Sequence, residues 1–94
     1  MKTDECVTSI IKQLTDDIRK KIKKGEDLLK KRYKVIDLMK DESVTHKKYI
    51  GLEREKEILD EEIVRTEYEL DMLQQARETC FTAATLYEIK IGEI

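Results

Sequence analysis

A seven-residue apolar repeat runs through the second half of this chain and limits its fold more than any other feature. One position of the repeat holds Leu52, Leu59, Thr66, Leu73, Cys80, Tyr87 and Ile94, and its companion holds Tyr49, Lys56, Ile63, Leu70, Arg77, Ala84 and Ile91. Apolar residues at alternating steps of three and four line one side of an α-helix, and a sustained seven-residue period makes that side a coiled-coil seam. Lys56, Thr66 and Arg77 interrupt the seam, which costs stability and helps to select register and partner. A second apolar track, Ile50, Ile58, Val64, Tyr68, Met72 and Ala76, runs beside it. A helix with two apolar tracks needs more than one neighbour, so the pattern predicts a bundle of three or four helices.

The first half places Val7, Ile11, Leu14, Ile18, Ile22, Leu29, Tyr33 and Ile36 on a track of four, three and four, with Gly25 filling one slot. An eleven-residue repeat of this kind stays close to straight. Gly25 is its weak place, costing about 1 kcal/mol relative to alanine. No proline interrupts either half. Between them, Ser43 or Thr45 can cap a second helix, and Asp41 and Glu42 suit its N-terminal end. The expected fold is all-α: a long antiparallel helical hairpin assembling into a coiled coil or helical bundle. One domain spans the chain, with a helix over about 4–40, a turn at about 41–45 and a helix over about 46–94.

Charge favours the same fold-back. Of the 94 residues 43% are charged and 5% aromatic, which argues against a β-sandwich or a disulfide scaffold. The net charge of −2 hides a basic stretch from Arg19 to Lys34 and an acidic second half, which invite each other to pair. A turn centred on Ser43 sets Ile36 against Ile50, Leu28 against Ile58, Ile22 against Val64, Ile18 against Tyr68, Leu14 against Met72, Ile10 against Ala76 and Cys6 against Cys80. That register buries the second track and leaves the seven-residue seam free for another chain. It also leaves the apolar tail Ala83–Ile94 without cover from its own chain. The expected partner-binding residues are Leu59, Ile63, Leu70 and Leu73 in the seam and Leu86, Tyr87, Ile91 and Ile94 in the tail. The partners expected there are other helical chains, in a homo- or hetero-oligomer.

No motif for chemistry emerges. There is no Gly-rich phosphate loop, no paired-histidine metal motif, no Cys-x-x-Cys and no calcium loop; no cofactor is expected. His46, the one histidine, sits beside the turn and reads as a surface residue. Cys6 and Cys80 read as reduced, partly buried thiols in an intracellular compartment, cytoplasm or nucleus. Tyr33, Tyr49, Tyr68 and Tyr87 lie on apolar tracks and read as packing residues. The lysines between Arg19 and Lys34 read as a solvated face toward the acidic helix rather than a nucleic-acid site. No stretch has the apolar length of a membrane span.

Two resemblances bear on function. Proline-free, two-tracked, Lys/Glu-rich helices of this length resemble the small coiled-coil subunits of eukaryotic kinetochore and cytoskeletal complexes, and small tubulin-chaperone cofactors share the style. Cys80-Phe81-Thr82-Ala83-Ala84-Thr85-Leu86-Tyr87 and Gly92-Glu93-Ile94 resemble the end of a stalk entering a globular head in the outer-kinetochore attachment complex. This implies a non-enzymatic structural role, joining or spacing subunits. The alternative rests on Ile18-Arg19-Lys20-Lys21-Ile22, Leu28-Leu29-Lys30-Lys31-Arg32 and Glu53-Arg54-Glu55-Lys56-Glu57-Ile58-Leu59, which resemble the all-helical chorismate mutases. That resemblance implies Arg19, Arg32, Lys40, Arg54 and Glu55 as candidates for a site that holds a dicarboxylate.

Overall fold

The computed structural model describes residues 2–89. Two helices, α1 (Lys2–Met39) and α2 (His46–Leu86), form an all-α antiparallel hairpin. In the turn, the Asp41 carboxylate accepts hydrogen bonds from the Ser43 N–H at 2.9 Å and the Ser43 hydroxyl at 2.8 Å. Thr45 is the cap of α2: its Oγ1 accepts the Lys48 N–H at 3.3 Å and its carbonyl accepts the Tyr49 N–H at 2.9 Å. A threonine here satisfies one of the donors that the first helical turn leaves without an intrahelical partner.

The far end departs from expectation, because α2 closes at Leu86. Glu88 takes a left-handed conformation, φ 53°. The Ile89 N–H donates to the Ala84 carbonyl at 2.8 Å and the Glu88 N–H to the Thr85 carbonyl at 3.3 Å. This pair of bonds is the Schellman arrangement, which ends a helix by reversing the backbone. Glycine commonly marks that position, so a glutamate there gave no stop signal. Residues 90–94 of the expected helix lie outside the described residues.

Contacts group the chain into two units. In Lys23–Tyr68, Leu28 and Val35 of α1 form one core with Leu52 and Leu59 of α2, and Met39, Val44 and Ile63 pack against it. Thr66 is buried in the same unit, and its hydroxyl donates to the Glu62 carbonyl at 2.8 Å. In the unit formed by Met1–Ile22 and Glu69–Ile94 the buried residues are Ile11, Ile18 and Ala84. There Arg77 Nη1 donates to Thr15 Oγ1 at 3.4 Å and Lys21 pairs with Glu69.

The register overturns the expected one. A turn centred on Ser43 would set Arg32 against Arg54 and Lys21 against Arg65, two meetings of like charge. Arg32 instead donates to Asp60 at 2.5 Å, with Lys56 3.5 Å from the other carboxylate oxygen, and Lys21 finds Glu69. The slip of several residues turns the seven-residue seam of α2 inward and the second track outward. Thus, of the residues expected to bind a partner, Leu59 is core, Ile63 is half-buried against that core, and Leu70 and Leu73 are half-buried. The last turns are covered further than expected, since Ala84 is buried.

The buried track of α1 differs as well. Val7, Ile11, Leu14, Ile18, Lys21, Gly25, Leu28, Arg32, Val35 and Met39 are its buried and half-buried positions, a seven-residue repeat matching that of α2. Ile22, Leu29 and Tyr33, assigned to the eleven-residue track, are exposed. Two polar residues, Lys21 and Arg32, disguised the repeat. Both cations stay on the seam because their long stems bury while their heads reach an acid of α2.

These contacts set two expectations for stability. A methyl group at Gly25 would stand 3.9 Å from Thr66 Cγ2, an ordinary contact, so Gly25→Ala raises stability by about 1 kcal/mol. Urea unfolding checks this as a higher midpoint at unchanged slope; a lower midpoint would mean that the helices approach more closely here. The second concerns acid. The Ser43 N–H and then its hydroxyl hold the Asp41 carboxyl below its ordinary value, and the Arg32 hydrogen bond does the same for Asp60. Groups with a depressed folded pKa contribute stability above the unfolded value of about 4 and lose it as pH falls through the folded value. The hairpin therefore weakens below about pH 4, modestly because both carboxylates meet solvent. A thermal midpoint that rises on acidification through this range would contradict the two pairings.

Candidate interaction face

With the seam turned inward, α2 carries apolar residues on its far side as well. Leu59 is nine residues from both Ile50 and Tyr68, about two and a half helical turns, which sets these two opposite the core. Val64 lies near them. All three are exposed, Tyr68 and Val64 at 65%, and Ile58 flanks them. Among the described residues none covers this face of the unit Lys23–Tyr68. α1 gathers its apolar residues to one side, whereas α2 spreads them over opposite sides. That contrast is the structural meaning of the two tracks: one serves the hairpin and the other is left over.

Charged residues interleave with this stripe. Arg54, Glu57, Glu61 and Arg65 all fall on the far side and are exposed. None of the side-chain hydrogen bonds or ion pairs among the described residues uses them. Tyr33, Tyr49 and Tyr87 are exposed along with Tyr68, so the four tyrosines are surface groups and not core packing.

The other unit has its own exposed apolar end. Met72, Phe81, Leu86 and Tyr87 are exposed, and Gln75, Thr79, Thr82, Ala83, Leu86 and Tyr87 line a shallow groove along the last turns of α2. Leu86 and Tyr87, two of the residues expected to bind a partner, are exposed. Ile91 and Ile94 lie outside the described residues.

The remaining sequence candidates are dispersed. Arg19 is exposed and 3.9 Å from Asp16; Arg32 is engaged by Asp60; Lys40, Arg54 and Glu55 are exposed. His46 opens α2 at the surface. Cys6 and Cys80 are both free thiols, the first exposed and the second half-buried, so partial burial holds for Cys80 alone. Lys21 and Arg32 of the basic stretch meet the acidic helix, while Lys20, Lys23, Lys24, Lys30, Lys31 and Lys34 face solvent. Among the described residues no group of three or more His, Cys, Asp or Glu could hold a metal ion, and no helix is long and apolar enough to cross a membrane.

A scan against models of protein families, a search of curated proteins and a search of solved structures each found no match.

Proposed function

We propose that the protein is a non-enzymatic coiled-coil interaction subunit, joining helical chains through the outer face of α2. The observation that carries this is the combination of a completed core with an apolar stripe opposite it. Leu59 is 8% exposed and Ile58, its neighbour, 52%. A stripe of isoleucine, valine and tyrosine on a charged helix matches what a docking helix covers, with aromatic residues supplying much of the contact. The apolar end at Phe81, Leu86 and Tyr87 extends the same role to a second point of attachment. The resemblance to small kinetochore and cytoskeletal subunits supplies the class of assembly, and two free cysteines suit a reducing compartment.

A photo-crosslinking amino acid in place of Tyr68, in the cells that make the protein, tests this. Covalent adducts are expected from that position and none from the same probe at Lys31 on α1. Absence of adducts at Tyr68 would contradict docking through this face.

A further inference from the structure

We draw no further inference here: the strongest candidate, the exposed apolar stripe of Ile50, Ile58, Val64 and Tyr68 on the outer face of α2, belongs to the docking face already described, and nothing in the structure shows what covers it.

Discussion

Leu59→Ala is expected to lower the stability of the single chain by about 2–5 kcal/mol, while Ile58→Ala changes it by less than about 0.5 kcal/mol. The two residues are neighbours of similar size and hydropathy, so composition and helix propensity barely distinguish them. Their surroundings do. Leu59 belongs to the core with Leu28, Val35 and Leu52, and its truncation leaves a void that a two-helix structure closes poorly. Ile58 projects from the far side, where alanine is the better helix former and offsets lost contact. A domain of this size holds about 5–15 kcal/mol in total, so the first change removes a large share of it. Denaturant unfolding at concentrations low enough to keep chains single is the measurement. Equal losses at both positions would contradict the assignment of inner and outer faces.

The other unit gives a matching pair. Ile11 is 0% exposed and Ile10 51%, so Ile11→Ala costs about 2–5 kcal/mol and Ile10→Ala close to nothing. Ile11 is the one large side chain among the described residues to be fully enclosed, which places its cost toward the upper part of that range. Its carbonyl also accepts the Thr15 hydroxyl at 2.8 Å, and Thr15 receives Arg77. Loss of packing at Ile11 therefore also disturbs one of the polar contacts that join the helices. Hydrogen exchange of the Thr15 and Ile18 amides, accelerated in Ile11→Ala and unchanged in Ile10→Ala, would locate the effect in this unit.

The helical class, the hairpin and the position of the turn were legible because their signals are local and redundant. A seven-residue period, the absence of proline, the cap at Thr45 and the turn residues Asp41 and Ser43 all agree. The inward face was not legible, since α2 offers two apolar tracks and apolar counting cannot choose between them. The choice is made by a few polar residues. Arg32 has to meet Asp60 and not Arg54, and Lys21 has to meet Glu69 and not Arg65. Charge matching at single positions was the available signal, because either register buries an apolar track of α2 and only the charged pairs distinguish the two. The same polar residues hid the repeat of α1, because Lys21 and Arg32 occupy seam positions that apolar periodicity skips. The end of α2 was hidden for a different reason: a left-handed glutamate at position 88 carries no mark in sequence.

Everything proposed about the outer face depends on the register that turns Ile50, Ile58, Val64 and Tyr68 outward, and disulfide trapping tests that register most directly. In a background with Cys6→Ser and Cys80→Ser, Gly25→Cys is combined either with Thr66→Cys or with Glu61→Cys. A Cβ at position 25 stands 3.9 Å from Thr66 Cγ2, so of the two pairs it is 25 and 66 whose side chains meet across the hairpin, as a disulfide needs. The pair at 25 and 66 is predicted to close within one chain under mild oxidation, and the pair at 25 and 61 to stay open. Closure of 25 with 61 in place of 66 would mean that the second track faces inward, and the outer face described here would not exist.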